Sequence, residues 1–169
     1  TNNSPDNANV GIDQRICRAE TNLFGNEPII GTGQWYIIGG SANIADDNAY
    51  NSAVSNLSRG TNTFRWTITN GACSSSDEVF IINDMPTTAN AGVDQVTCAD
   101  SVALFPNTPT VGVGEWSLVS GSATFVANMA YGIATNDNYF RWSITNNGCV
   151  SADTVKITSH KPTDALPMA

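Results

Sequence analysis

Apolar and polar side chains alternate strictly in two stretches of this chain. The first stretch is residues 62–69, and a second copy of it starts near residue 140. Successive side chains of a β-strand point to opposite faces, so this period of two predicts two strands with one buried face each. The side chains predicted to be buried are Phe64, Trp66 and Ile68 in the first stretch and Phe140, Trp142 and Ile144 in the second.

An Asn-Gly step follows each of these strands, at residues 70–71 and 147–148. Both residue types tolerate the positive φ values of tight hairpin turns, so returning strands are predicted at residues 78–82 and 154–157. Other short runs rich in Val, Ile, Phe, Trp and Thr lie between Gly, Asn, Asp and Pro, without a helical period. The pattern predicts an all-β fold of small β-sandwiches, each with about seven strands in about 80 residues.

The second half of the chain repeats the landmarks of the first. VGIDQ at residues 10–14 returns as AGVDQ at 91–95, and GTGQW at 31–35 returns as GVGEW at 112–116, both 81 residues later. FRWTITN at 64–70 returns as FRWSITN at 140–146, only 76 residues later. The chain therefore contains two modules. The second lacks five residues, which we place in a loop between Tyr50 and Phe64.

A Pro-x-x-Ala segment occurs three times, at residues 5–8, 86–89 and 162–165. Each precedes a module or the place where another would begin. We therefore predict domains at 5–85 and 86–165, joined by short semi-rigid linkers. Three linkers around two modules indicate a longer array, in which neighbouring repeats of the same chain are partners.

The four cysteines are Cys17, Cys73, Cys98 and Cys149, without the spacing or the neighbouring His of a zinc site. They favour disulfides and an oxidising compartment. Pairing within modules would close loops with cysteines 56 and 51 residues apart, and the chain-entropy model makes each such bridge worth roughly 4 kcal/mol. Pairing across modules is the alternative and would break the repeat symmetry.

Charge and hydropathy exclude several function classes. Charged residues make up 13% of the chain and the net charge is -8 at pH 7, which argues against nucleic acid as a partner. No apolar run approaches the roughly 20 residues of a membrane span, so no membrane insertion is expected. The only histidine is His160, next to the last Pro-led segment. We therefore expect no catalytic triad and no enzyme.

The ordered motifs AGxDQxxC, GxGxW and FRWxITNxxC, with an Asp four residues after the last Cys, cover both modules. In this order they resemble the immunoglobulin-like or PKD-like repeats of Bacteroidota surface proteins. Such repeats occur in very large adhesins, including gliding-motility adhesins exported by type IX secretion. The resemblance implies two tandem immunoglobulin-like sandwiches at the extracellular cell surface, with no catalytic residues to carry over. The first module departs from the pattern at Val10, where the motif has Ala.

Calcium is the most credible small ligand, because hard cations take oxygen ligands. Asp46, Asp47 and Asn48 form an acidic cluster that the second module lacks, so either a site confined to the first module or a solvated turn is expected there. No other cofactor is expected. Four aspartates recur in both modules, and we interpret them as acceptors for backbone N–H groups. They are Asp13 and Asp77 in the first module and Asp94 and Asp153 in the second.

Each aromatic and arginine side chain in the repeated motifs has two interpretations. We assign the four tryptophans to the core, and propose Tyr50 and Tyr131 as weak candidates for ligand binding, with Tyr36 and Tyr139 as further exposed tyrosines. Arg65 and Arg141 should pair with carboxylates on a neighbouring strand.

Three functional hypotheses follow. The first is a stalk segment of an adhesin that shares weak, multivalent contacts in attachment or gliding. The second is a binding module for a surface polysaccharide or a matrix protein, and the third is an accessory domain of a secreted hydrolase.

Overall fold

A computed structural model describes residues 4–161 of the chain, and the chain divides between Met85 and Pro86 into two compact units. The described part of each unit contains seven strands, as predicted. Those of the first module are β1 (Gln14–Ile16), β2 (Thr21–Phe24), β3 (Thr32–Gly39), β4 (Asn43–Ile44), β5 (Asn51–Ser55), β6 (Gly60–Asn70) and β7 (Cys73–Asn83). Those of the second are β8 (Gln95–Thr97), β9 (Ser101–Ala103), β10 (Val113–Ser120), β11 (Thr124–Val126), β12 (Met129–Tyr131), β13 (Asn136–Asn146) and β14 (Cys149–Ser159).

Both modules have the same topology. A four-stranded sheet has the order β1-β7-β6-β3 in the first module and β8-β14-β13-β10 in the second. A three-stranded sheet has the order β2-β5-β4 in the first module and β9-β12-β11 in the second. The first strand of each module pairs in parallel with the last, and the other pairs are antiparallel. The predicted all-β sandwich architecture is confirmed. The outer domain bounds at residues 5 and 165 stay predictions, and segment 162–165 lies outside the described residues.

The predicted hairpin is the longest element of each module. Strands β6 and β7 have 11 residues each, as do β13 and β14. Strand β7 begins at Cys73, five residues before the predicted start, because pairing with β6 orders a serine-rich segment that has no apolar signal of its own. The turn between β6 and β7 uses Gly71 at φ 60°, and the matching turn in the second module uses Asn147 and Gly148 at φ 46° and 86°.

The core of each module is built around two tryptophans. The rings of Trp35 and Trp66 lie 5.0 Å apart at 41°, and those of Trp116 and Trp142 lie 5.2 Å apart at 45°. All four are buried, which confirms their assignment to the core. The other fully buried side chains of the first core include Leu23, Val54, Phe64, Ile68, Val79 and Ile81.

The GxGxW motif exists because of these tryptophans. Its second glycine faces the indole of the neighbouring strand: a Cβ on Gly33 would lie 2.0 Å from Cζ2 of Trp66, and one on Gly114 would lie 2.1 Å from Cζ2 of Trp142. Only a residue without a side chain permits this approach. Its first glycine, Gly31, has φ +108°, a conformation that other residues rarely adopt.

The missing five residues lie at a different place from the predicted one. Strands β4 and β5 are joined by residues 45–50, whereas β11 and β12 are joined by residues 127–128 alone. The β4–β5 loop, residues 45–50, is thus the extra segment of the first module, and it precedes Tyr50's neighbouring strand rather than following it. Thr124 pairs with Tyr131 as Asn43 pairs with Ser55. Tyr131 therefore corresponds to Ser55, and the sequence match of Tyr50 with Tyr131 was coincidental.

The described residues 4–161 include no helix that is long and apolar enough to cross a membrane.

Candidate functional site

The chain enters and leaves the first module at opposite ends of its long hairpin. On the way in, the backbone N–H of Ala8 donates to Oγ of Ser75 at 3.0 Å, beside the start of β7. On the way out, the backbone N–H of Asp84 donates to the carbonyl oxygen of Ile16 at 2.8 Å, beyond the end of β7. We call the first end of a module its leading end and the second its trailing end.

The second module repeats this path. The backbone N–H of Ala89 donates to Oγ of Ser151 at 2.9 Å, near the start of β14. At the other end, the backbone N–H of His160 donates to the carbonyl oxygen of Thr97 at 2.8 Å. His160 is exposed, as is expected of a residue that follows the last strand. Each module therefore has a leading and a trailing end in the same places.

The cysteines mark these ends. Cys73 and Cys149 are the first residues of β7 and β14, so they lie at leading ends. Cys17 and Cys98 directly follow β1 and β8, whose last residues are in register with the last residues of β7 and β14. We call Cys73 and Cys149 the leading cysteines, and Cys17 and Cys98 the trailing cysteines.

The predicted pairing of cysteines within each module is wrong. The leading and trailing cysteines of one module are separated by the ten-residue length of a β-strand, which at about 3.3 Å per residue is roughly 33 Å. A disulfide needs Cα atoms within about 7 Å of each other. Cys17 and Cys149 are disulfide-bonded, whereas Cys73 and Cys98 are exposed free thiols. The fold does not carry one disulfide per domain.

The recurring aspartates accept backbone hydrogen bonds, as predicted. Oδ2 of Asp77 accepts from the N–H of Val10 at 3.1 Å, and Oδ2 of Asp153 accepts from that of Ala91 at 2.8 Å. Oδ1 of Asp13 accepts from the N–H of Phe80 at 2.9 Å, and Asp94 does the same for Lys156. These carboxylates fasten the first segment of each module to its last strand.

The calcium candidates lie in the β4–β5 loop and bond to protein groups. Oδ1 of Asp46 accepts from the N–H of Asn48 at 2.9 Å, which closes an Asx turn. Oδ1 and Oδ2 of Asp47 accept from the side-chain amides of Asn48 and Gln34 at 2.8 and 3.0 Å. No group of three or more His, Cys, Asp or Glu in residues 4–161 is arranged to hold a metal ion. The calcium hypothesis stays a prediction.

The tyrosine candidates are partly exposed. Tyr50, at the end of the β4–β5 loop, is 39% exposed, and Tyr131, the last residue of β12, is 43% exposed. They lie at different positions of their modules, so they do not form a repeated binding surface. Tyr36 is 44% exposed on the outer face of β3, where its hydroxyl donates to Oε1 of Gln34 at 2.7 Å. Tyr139 is 38% exposed on β13.

The two arginines differ. Arg65 is paired across the strands with Glu78, with Nη2 and Oε1 2.6 Å apart, which confirms the prediction for the first module. Arg141 faces Thr154 and has no ion-pair partner within residues 4–161, so the prediction for the second module is wrong. The position is therefore repeated for its strand propensity and polar character rather than for an ion pair.

Sequence reasoning missed two buried asparagines. The side-chain amide of Asn62 donates to the carbonyl oxygens of Ser58, Gly60 and Ile81, and its Oδ1 lies 3.3 Å from the N–H of Ser41. Asn138 repeats the pattern with Ala134, Asn136, Ile157 and Ser122. An Asn two residues before the repeated Phe is unusual inside a strand and could have signalled this role.

A difference between the modules lies at the edge strand of the larger sheet. In the first module the β4–β5 loop covers this edge: the N–H of Trp35 donates to the carbonyl oxygen of Asp47 at 2.7 Å. In the second module this loop is shorter, and a shallow groove lies along β10. It is lined by Gly114, Glu115, Trp116, Phe125, Asn128 and Trp142, among others.

No protein-family model and no curated protein sequence matches the chain. Among solved structures it is similar to the insect immune protein hemolin, with a TM-score of 0.59 and 12% identity over 95% of this chain and 48% of that chain. It is also similar to the Drosophila OTK extracellular domains 3–5, with a TM-score of 0.50 and 11% identity over 94% of this chain and 60% of that one. The N-terminal four Ig domains of Dscam1 give 0.51 and 9% over 94% and 46%.

The chain consists of two tandem immunoglobulin-like sandwich domains, the fold that it shares with these immune and cell-surface proteins. It spans about half the length of the hemolin and Dscam1 chains. At this level of identity the likeness shows the fold alone.

Proposed function

We propose that the chain is a segment of a longer extracellular adhesin array, in which immunoglobulin-like repeats form a stalk with a weak multivalent adhesive surface. The observation that carries the proposal is the path of the chain through each module. It enters at the leading end and leaves at the trailing end, roughly 33 Å away along the hairpin. A module with this path adds length each time it is repeated.

The sandwich itself suits a load-bearing role. The first and last strands of each module pair in parallel, and the aspartates tie the first segment to the last strand. Force on the two ends of a module is therefore resisted by hydrogen bonds from both strands together. The module is held by a core with two packed tryptophans and by a buried asparagine network.

The proposal places the chain at the cell surface and assigns it no catalytic activity. Disulfide-bonded Cys17 and Cys149 support an oxidising compartment. The motif resemblance supports attachment or gliding as the process and type IX secretion as the export route. An antibody against the chain that labels intact cells supports this location, whereas labelling only after cell lysis contradicts it.

Adhesion by many weak contacts has a measurable signature. A single chain should not be retained on immobilised polysaccharides or matrix proteins, whereas beads that carry many copies should be retained on one class of surface. Parallel runs with calcium and with a chelator separate an ion-dependent contact at Asp46, Asp47 and Asn48 from an ion-independent one. Tight binding of the single chain, or substrate turnover, would contradict the stalk.

The groove along β10 favours a carbohydrate-binding module as a second candidate. It combines aromatic edges with the polar side chains Glu115 and Asn128, the mixture that ligand sites use for contact and orientation. Glu115→Ala should then abolish retention on the polysaccharide without changing the melting temperature. Gln34→Ala, at the matching position of the first module, is the control that should leave retention unchanged. Tyr50→Ala and Tyr131→Ala test the tyrosine candidates in the same assay.

A further inference from the structure

Each of the two cysteine positions in the repeat is bonded in one module and free in the other. The trailing cysteine is bonded as Cys17 and free as Cys98, and the leading cysteine is free as Cys73 and bonded as Cys149. The local structure around each position is the same in both modules, because the registers of the adjoining strands match. Both positions are therefore competent to form disulfides, and the free thiols are sites whose partner is not in this chain.

The partner of each free thiol must come from outside its own module. The other cysteine of the same module lies roughly 33 Å away at the opposite end of the hairpin. Cys73 and Cys98 are both exposed at the ends of their modules, where another protein can reach them. Their positions at a leading and a trailing end are complementary.

We propose that Cys73 and Cys98 form disulfides with cysteines of further modules of the same kind, an inference that rests on the chain being a segment of an array. Cys73, a leading cysteine, bonds the trailing cysteine of the module before it. Cys98, a trailing cysteine, bonds the leading cysteine of the module after it. A contact between unlike ends is heterologous and produces an open filament rather than a closed dimer.

The chemistry is two-step thiol–disulfide exchange with a disulfide oxidant, such as oxidised glutathione or a disulfide oxidoreductase. The thiolate of Cys98 attacks one sulfur of the oxidant, forms a mixed disulfide and releases the other sulfur as a thiol. The thiolate of a leading cysteine then attacks the sulfur of Cys98 and releases the second thiol. Two protein thiols lose two protons and two electrons, and one oxidant disulfide is reduced to two thiols.

Two copies of the chain can serve as neighbours in a test, because each copy presents both a leading thiol at Cys73 and a trailing thiol at Cys98. The purified chain is oxidised in a glutathione redox buffer at about 1 mM, near the effective concentration that a short tether provides. We expect a ladder of linear oligomers on non-reducing gels that collapses to monomer with reductant. Mass spectrometry of digested oligomers should find Cys73 linked to Cys98.

Single variants separate specific pairing from random oxidation. Cys73→Ser keeps only the trailing thiol, and Cys98→Ser keeps only the leading thiol. When the two variants are mixed in equal amounts, the heterodimer should exceed the one-half share that random pairing gives, and each variant alone should stay largely monomeric. The double variant is the control: it should remain monomeric, and circular dichroism should show that all three variants fold.

Three results would overturn the inference: the two homodimers and the heterodimer in random proportions, a Cys73–Cys98 bond within one monomer, or no oligomer under any redox poise. The surface-retention and cell-labelling experiments test the array function separately. Unlike-end pairing together with tight monovalent binding would contradict the stalk while keeping the ends competent for linkage. Random pairing together with avid surface retention would reject the linkage alone.

Discussion

Replacing Gly33 with alanine should destabilise the first module sharply. A Cβ at this position would lie 2.0 Å from Cζ2, 2.3 Å from Cη2 and 2.8 Å from Cε2 of Trp66. Ordinary carbon–carbon contact is about 3.5–4.0 Å, so the indole would have to move by more than an ångström. Trp66 is completely buried and packs against Trp35, so it has no free space into which to move.

The expected size follows from two opposing effects. Forcing an extra carbon into a packed core costs typically about 1–3 kcal/mol, and a clash this close belongs at the upper end. Alanine also lowers the entropy of the unfolded chain, which returns about 0.4–1 kcal/mol. The net loss is about 2 kcal/mol, which lowers the melting temperature of a domain this small by about 8–16 °C.

A control lies in the same strand. Gly39 is also in β3, but a Cβ there would meet nothing closer than 3.4 Å, at Oγ1 of Thr63. Gly39→Ala should therefore leave the stability unchanged or raise it slightly. Calorimetry measures both variants, together with Gly114→Ala, which should affect the second module in the same way. Equal melting temperatures for Gly33→Ala and Gly39→Ala would refute the packing explanation.

Three further substitutions probe the polar contacts, each by urea unfolding. Asn62→Ala should cost about 2–4 kcal/mol, because it leaves several buried backbone groups without partners; a loss below 1 kcal/mol would contradict this. Asp77→Ala should cost about 1–2 kcal/mol through the freed N–H of Val10, and Asp77→Asn should recover part of it. Arg65→Ala should cost no more than about 1 kcal/mol, since 42% of the Arg65 side chain and 38% of that of Glu78 are exposed.

The sequence predicts the parts of the fold that local pattern controls. Strict alternation around Trp66 identified the long hairpin strand, and the repeat of the GxGxW and FRW motifs identified two copies of one module. The start of β7 was missed because its serines carry no apolar signal and are ordered by pairing with β6. Asn62 was missed as a buried group because composition does not reveal which carbonyl oxygens converge on it.

The disulfides show where sequence separation misleads. Loop-closure entropy depends on the number of residues between two cysteines, and the 56 residues between Cys17 and Cys73 made their pairing attractive. Direction decides the matter instead: the strand after Cys73 runs in parallel beside β1, so ten residues of extended chain separate the two sulfur atoms. The placement of the missing loop failed for a related reason, because the match of Tyr50 with Tyr131 ignores strand register.

The thiol state of the purified chain tests most directly the claim that each module carries its two cysteines at opposite ends. The folded, unreduced chain is alkylated with one reagent, then reduced, unfolded and alkylated with a second, and the labels are located by mass spectrometry. The account predicts the first label on Cys73 and Cys98 and the second on Cys17 and Cys149. Peptides in which Cys17 is linked to Cys73, or Cys98 to Cys149, would contradict it.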